Sequence, residues 1–422
     1  MSENVTEMPQ SKRVILHCDM NNFYASVECM LDTSLRNKAV AVCGSVEERH
    51  GIVLAKNYAA KAFGVSTGEA IWQARQKCRN LVIVEPHYEQ YMKFSKLARE
   101  IYGRYTDLIE PYGMDECWLD VTGSGIMGSG YEIADEIRET VKFELGLTIS
   151  AGVSFNKIFA KLGSDLKKPD AVTCINADCF REKIWDLPAS DLLGVGRATD
   201  KVLSSYGIHT IGQLAGAPDD FLSRKFGKNG MALKLYANGL DTSPVMHCEY
   251  HSPVKSIGHG TTTIQDLEDS SEVWSVILEL VQEIGHKLRT HEKKAAGVAI
   301  SVRDNELHIK EWQCKLDMPT MSPSYIAKQA YALFERSYQW RLPIRSITVR
   351  AINLIDKDCP YQTDLFTDVS EIDRKERLDV AVESIRDRFG KDAIRNAVLC
   401  QKIKLPPRRE VELIMPTGML GM

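Results

Sequence analysis

Three acidic residues define the chemistry to look for. Asp19 closes a short apolar run, and Asp115 and Glu116 stand side by side much further along, in the stretch YGMDECWLD. Carboxylates brought together repel one another strongly unless cations lie between them. Magnesium suits such a place, because it takes oxygen ligands, keeps several waters and is commonly shared between one or two carboxylates and substrate phosphates. Two such ions about 3.5–4 Å apart would activate an attacking hydroxyl and stabilise a leaving pyrophosphate.

The elements that would hold these groups are legible nearby. Residues 14–30, VILHCDMNNFYASVECM, read as a strand passing into a helix. Val14, Ile15 and Leu16 suit a buried strand; Phe23, Val27, Met30 and Leu31 recur at helical spacing, with Asn21 or Asn22 available as the cap. Asp19 is thereby placed at the carboxyl end of a strand, where substrates bind in open α/β sheets. Taken alone it would read as an ordinary turn or cap aspartate. Neighbouring side chains on a regular strand point to opposite faces, so Asp115 and Glu116 can work as a pair only at a bend, which Pro111, Tyr112 and Gly113 supply.

A chain of 422 residues is too long for one compact core, so several domains are expected. No stretch approaches a membrane span and the start MSENVTEMPQ lacks a signal peptide's basic and apolar regions, which points to the cytoplasm. The eleven cysteines include no CxxC pair, favouring reduced, packed thiols over disulfides or zinc. A net charge of −4 argues mildly against nucleic acid as a partner, but the local pattern of Lys and Arg decides that question.

Further motifs follow in order. Residues 154–168 read as a helix with an apolar stripe (Phe155, Ile158, Phe159, Leu162, Leu166) and lysines Lys157, Lys161 and Lys168 on another face, where Lys157 and Lys168 would align. That face is either solvated or aimed at an anion. In LPASDLLGVGRATDK, helical segments flank Gly194-Val195-Gly196. The glycines would let the backbone approach a DNA phosphate, with amides at the second helix's start pointing toward it; a merely structural helical turn is the alternative. Beyond residue 356 the chain turns polar and acidic and holds QTDLF, an extended segment suited to delivering Leu365 and Phe366 into an apolar pocket with Gln362 making polar contacts, or else a linker.

The pairing of CDMNNFYASVE with YGMDECWLD, followed by GVSFNKIFAKLGSDLKKP, closely resembles the Y-family translesion DNA polymerases of the DNA polymerase IV group, over residues 14–366 and in the family's order and spacing. The resemblance implies an α+β multidomain, right-hand polymerase. Residues 1–12 would be a disordered start, 13–30 and 87–178 a ferredoxin-like palm, and 31–86 small fingers. Residues 179–244 would form a helical helix-hairpin-helix thumb, 245–356 an α/β little finger, and 357–422 a clamp-binding peptide and tail. It implies template-directed, low-fidelity synthesis with two Mg²⁺ ions and no proofreading exonuclease. Asp19 and Asp115 would bridge the ions, Glu116 would help hold one, and the Met20 carbonyl would complete the other site.

By the same resemblance Phe23, Tyr24, Tyr58, Lys61 and Lys168 would contact the dNTP, Tyr24 as the steric gate against a ribose 2′-hydroxyl. Many relatives carry Arg where Lys61 stands and Asp where Asn21 stands. Primer-template DNA and dNTPs would be the partners of a monomer, and Gln362, Leu365 and Phe366 would dock it on the sliding clamp. Two other classes share some of these features. Nucleotide cyclases also use a ferredoxin-like palm with paired carboxylates but need no DNA, and a noncatalytic DNA-binding subunit would need no carboxylates.

Overall fold

The computed structural model describes residues 13–406 except 47, 48, 50, 361–368 and 402. They divide into two compact units, one made of the chain to Cys43 and Val53–Ser252, the other of Gly44–Ile52 and the chain from Pro253 onward. The expected start of the little finger at residue 245 lies eight residues before this division; Val245 is buried in a cluster with Ile15, Trp118 and Ala160. No helix among the described residues is long and apolar enough to cross a membrane. Residues 1–12 and the QTDLF segment lie outside the described residues.

The first unit begins with β1 (Ile15–Met20) and α1 (Phe23–Leu31). Asn22 stands at the cap position in the left-handed region (φ 48°) with no side-chain cap hydrogen bond, so neither asparagine caps α1 through its side chain. A small sheet follows, in the order β3-β2-β4, from β2 (Val40–Cys43), β3 (Val53–Lys56) and β4 (Val82–Val84), with α2 (Tyr58–Ala62) and α3 (Ile71–Lys77) between.

The chain then returns through α4 (Tyr88–Tyr102), β5 (Ile109–Pro111), β6 (Glu116–Asp120), α5 (Gly130–Leu145), β7 (Ile149–Ser154), α6 (Lys157–Leu166) and β8 (Ala171–Ile175). The main sheet has the order β5-β6-β1-β7-β8. Its first four strands with α4 and α5 form the βαββαβ ferredoxin-like arrangement. Alternation along the strands sends Leu16, Cys18, Met20, Cys117 and Leu119 to one face, where they pack on Ile101, Tyr102, Ile133 and Ile137 of α4 and α5. Ile15, His17 and Asp19 go to the other, under α6.

That close seating of α6 depends on one missing side chain. A Cβ at Gly152 in β7 would stand 1.9 Å from the Ala160 carbonyl oxygen and 2.5 Å from the Ser164 amide nitrogen, both backbone atoms of α6. The helix also ends earlier than its apolar spacing predicts. Leu166 is its last residue, because Lys168 precedes Pro169 and is pushed out of the helical region. Lys157 and Lys168 therefore do not align. Lys157 is buried, with Nζ 2.7 Å from Glu110 Oε1 and 4.5 Å from the Trp118 ring centroid, so it is neither solvated nor free to meet an anion.

Helices α7 (Phe180–Ile184), α8 (Arg197–Ser205), α9 (Ile211–Ala215), α10 (Asp219–Phe226) and α11 (Lys228–Ala237) complete the first unit. Ahead of Gly194 there is one 3₁₀ turn (Ala189–Asp191) rather than a full helix. The backbone there is taken by tertiary pairing: Ala189 N–H donates to the His209 carbonyl and Ile211 N–H to the Leu187 carbonyl. Gly194 holds φ 93°, Val195 is buried, and Gly196 is the cap residue of α8.

The second unit is a four-stranded antiparallel sheet in the order β11-β10-β12-β9, formed by β9 (Ser256–Leu267), β10 (Lys293–Asp304), β11 (Ile309–Thr320) and β12 (Ile344–Asp356). Helices α12 (Ser270–Thr290) and α13 (Pro323–Ser337) cover the face carrying Val298, Ile300, Ile347 and Val349. A last helix, α14 (Val369–Phe389), docks through polar groups, with Glu376 accepting from Thr320 Oγ1 at 2.8 Å and Asp379 from Ser322 Oγ at 2.6 Å.

Gly152→Ala should destabilise the protein by about 1–3 kcal/mol, the usual cost of forcing atoms into a filled interior. Gly123→Ala, where a Cβ meets nothing within 4 Å, should leave the melting temperature unchanged. Equal melting of both variants would show that α6 does not rest on the strand as tightly as described.

Candidate active site

The acidic residues converge where β1 and β6 lie side by side. Antiparallel pairing sets Asp19 opposite Glu116, and the hairpin between β5 and β6 holds Asp115 one residue before that pair. Tyr112 N–H donates to the Glu116 carbonyl at 2.9 Å to close the bend, and Met20 N–H donates to the Asp115 carbonyl at 2.9 Å. The turn backbone is thus fastened to the strand that carries Asp19.

Two lysines from the α6 segment reach into this acidic corner. Lys168 Nζ lies 2.7 Å from Asp19 Oδ2, and Lys161 Nζ lies 2.6 Å from Glu116 Oε2. Asp165 joins them, 2.9 Å from Lys168 and 3.6 Å from Lys161. Behind Glu116, the buried His17 places Nε2 3.2 Å from Oε2, off hydrogen-bonding alignment, while Nδ1 is 2.8 Å from Ser164 Oγ. Burial lowers the His17 pKa, so this imidazole is neutral near pH 7.

These contacts separate the three carboxylates electrostatically. For Glu116, burial acts upward, but the His17 contact and the Lys161 ammonium outweigh it and hold the pKa at about 2. Asp19 is pushed up to about 6, by burial first, with Lys168 only partly offsetting it. Asp115 rises to about 7 through burial and then through the charges of Glu116 and Asp19. Among the described residues no lysine or arginine meets Asp115 at ion-pair distance. The four carboxylates Asp19, Asp115, Glu116 and Asp165 exceed the two ammonium groups by two negative charges when all are ionised.

That excess suits a hard divalent cation with oxygen ligands. Among the described residues, though, no three acidic, imidazole or thiol groups are already gathered into a metal cage, since Lys161 and Lys168 hold oxygens of Glu116 and Asp19. The Met20 side chain is buried, and its amide is committed to Asp115.

The other expected contacts fall around this corner unequally. Tyr24 is half-buried on α1, its hydroxyl 3.5 Å from Met114 Sδ, with its pKa pushed up to about 12 by burial and then by Asp115. Tyr58 opens α2, its pKa raised by burial, with Lys168 and Asp19 both near enough to act on its hydroxyl. Lys61 is exposed, with Nζ 5.6 Å from the Tyr58 ring centroid. The Phe23 ring instead points into the core, 3% exposed and against Tyr91, so its side chain is not turned toward a nucleotide. Asn21 is buried; it accepts from Asp170 N–H at 2.9 Å and donates to Ser150 Oγ at 2.9 Å, fixing the chain just after Lys168.

Raised carboxylate pKa values tie the site to stability. Unfolded aspartates titrate near pH 4. Between about pH 4 and 7 the folded chain therefore holds protons at Asp19 and Asp115 that the unfolded chain releases, and their contribution to stability falls as pH rises through that window, while buried His17, its pKa lowered, acts in the opposite sense below the ordinary histidine range. Glu116 acts in the opposite sense only below the ordinary glutamate range, outside that window. In chelator-treated protein, raising the pH from 5.5 to 7.5 should lower the melting temperature of the wild type relative to Asp115→Asn. The same pH dependence in both proteins would show that Asp115 is not held protonated.

Comparison with known proteins identifies the family. Residues 18–165 match the model of the impB/mucB/samB family, and residues 254–365 match that family's C-terminal domain. The DNA polymerase IV of Acetivibrio thermocellus is 50% identical over 391 residues, 92% of this chain and 98% of that protein. The DNA polymerase IV 1 of Bacillus subtilis is 35% identical over 396 residues, 94% of this chain and 95% of that protein. Among solved structures, a Y-family DNA polymerase chimera superposes with a TM-score of 0.71 at 24% identity, covering 81% of this chain and 99% of its own, which shows the right-hand polymerase fold. With the carboxylate corner on the first matched domain and sequence identity running over nearly the whole length, the chain belongs to the Y-family DNA polymerases, in the DNA polymerase IV group.

Proposed function

We propose that Asp19, Asp115 and Glu116 hold two Mg²⁺ ions for nucleotidyl transfer from a dNTP to a primer end, with the Met20 carbonyl as a further ligand and without proofreading. The observation that carries this reading is the convergence of more carboxylates than ammonium groups at the meeting of β1 and β6, with Asp115 the one left without an ion-pair partner among the described residues. When bound, the ions would lower the pKa of the primer hydroxyl and offset charge on the leaving pyrophosphate. The chain's own residues orient the reactants. Lys168 and Lys161 are ion-paired with Asp19 and Glu116, so an incoming triphosphate can draw Lys168 from Asp19 to its own oxygens. Tyr58 and Lys61 join it on the triphosphate. Asn21 keeps the Lys168 loop in reach through Asp170.

Tyr24 acts as the sugar gate. Its ring is backed by other aromatics and cannot retreat without losing that packing, so a 2′-hydroxyl meets a wall. DNA is held without regard to sequence, by phosphate contacts at the Gly194-Val195-Gly196 turn, through the amides of Gly194 and Gly196 since Val195 N–H donates to the Leu192 carbonyl, and on the open, polar face of the second unit's sheet. A groove of about 460 Å³ there is lined by Gly260, Thr261, Ser301, Arg303 and Thr348, among others. Gln362, Leu365 and Phe366 serve as the sliding-clamp peptide, and the enzyme works as a cytoplasmic monomer.

Primer extension on an undamaged template and on one with an abasic site tests the whole reading. The wild type should extend both with Mg²⁺, and Asp115→Asn should fall to background. Tyr24→Ala should still use dNTPs while its discrimination against rNTPs falls at least about tenfold, roughly 1.4 kcal/mol. Full activity of Asp115→Asn would remove the metal assignment, and unchanged sugar selection in Tyr24→Ala would remove the gate.

A further inference from the structure

Glu28 has an unusual setting. It is 3% exposed, yet no lysine or arginine lies at ion-pair distance from it among the described residues. Burying a carboxylate without a cation is costly unless hydrogen bonds satisfy it. Here they come from the Tyr91 hydroxyl, which donates to Oε1, and from His87, whose Nδ1 lies 3.0 Å from both carboxylate oxygens. His87 is the cap residue of α4, but its side chain makes no cap hydrogen bond and turns to Glu28.

The other end of Tyr91 bears on the proposed gate. The fully buried Tyr91 ring stacks on Tyr24 with centroids 4.2 Å apart and planes 8° from parallel. Tyr88 meets the edges of both, at 6.0 Å from Tyr24 and 5.8 Å from Tyr91, and Phe23 tilts against both. Glu28 lies four residues after Tyr24 on α1, so the two share one helix face. Tyr91 spans that face, with its ring on Tyr24 and its hydroxyl on Glu28. Packing keeps the Tyr24 ring from retreating but fixes its plane only loosely, whereas the Tyr91 hydroxyl can shift only by giving up its hydrogen bond to the buried Glu28 side chain.

We propose that Glu28 is a positioning residue for sugar selection: by holding the Tyr91 hydroxyl it fixes the plane of the Tyr24 ring and so sharpens exclusion of ribonucleotides. This rests on the reading of Tyr24 as the gate. A purely structural brace between α1 and α4 would instead affect melting and overall activity without changing the choice of sugar.

The test compares kcat/KM for one dNTP and the matching rNTP. Glu28→Ala and Tyr91→Phe should each lower discrimination about three- to tenfold, the scale of coupling within one side-chain network. The change should come from a rise for the rNTP, with the dNTP value held within about twofold, and the double variant should match either single one. Glu28→Gln, which can still accept the Tyr91 hydrogen bond, should restore most of the selectivity. In a Tyr24→Ala background Glu28→Ala should have no further effect.

Unchanged discrimination in Tyr91→Phe, with Tyr24→Ala showing its loss, would overturn the role of Glu28 while leaving the gate intact. An additive effect of Glu28→Ala on top of Tyr24→Ala would also overturn it. If Tyr24→Ala itself selects sugars normally, the gate reading fails and this inference with it. Tyr91→Phe keeps the stack, so it decides the matter even if Glu28→Ala does not fold.

Discussion

Like charges crowded into a half-dry corner constrain everything else in the first unit. Asp19 and Glu116 are brought opposite each other by strand pairing and Asp115 is fastened beside them by its backbone, so none can relieve the repulsion by moving away. The chain answers with Lys161 and Lys168, and it does so unevenly. Glu116 is stabilised as an anion, whereas Asp19 and Asp115 remain uneasy ones. A site that is under-compensated in isolation is one that gains most when cations arrive.

Compensation of that kind requires α6 to lie very near the sheet. Gly152 and Gly163 let it do so, since a Cβ on Gly163 would stand 3.2 Å from the Gly152 Cα. From there Lys161 and Ser164 reach Glu116 and His17, and the loop just beyond brings Lys168 to Asp19. Asn21, Asp170, Arg138 and Lys142 secure that loop in turn, with Arg138 2.8 Å and Lys142 2.7 Å from Asp170. On the other side of the corner α1 and α4 hold Tyr24 between aromatic rings. Rigid elements thus set both the acidic side chains and the ring beside them, which is what positional chemistry needs.

The sequence made the acidic residues, their bend and the ferredoxin-like frame visible, because each was written in a local motif and in strand or helix periodicity. Asp19 at a strand end and Asp115 at a hairpin mouth needed no knowledge of distant partners. What stayed hidden depends on pairings between remote segments. His17 is two residues before Asp19, on the same strand face, but its role appears only when Ser164 is brought to it. The burial of Lys157 was not legible because Glu110 and Trp118 lie on strands remote in sequence. Lys161 and Asp165 carried a faint signal in their four-residue spacing, and nothing in the sequence around Glu28 points to Tyr91 or His87 as its partners. The helix end at Leu166 was legible in Pro169 but was overruled by an apolar stripe that continued to that point.

The central claim is that three carboxylates from two strands serve one pair of divalent ions. Anomalous scattering from Mn²⁺ in crystals of the enzyme with primed template and a non-hydrolysable dNTP measures this directly. The account predicts two peaks about 3.5–4 Å apart, both within ligand distance of Asp19 and Asp115 and one also at Glu116. Ordered nucleotide with no peak beside Asp115 would contradict it.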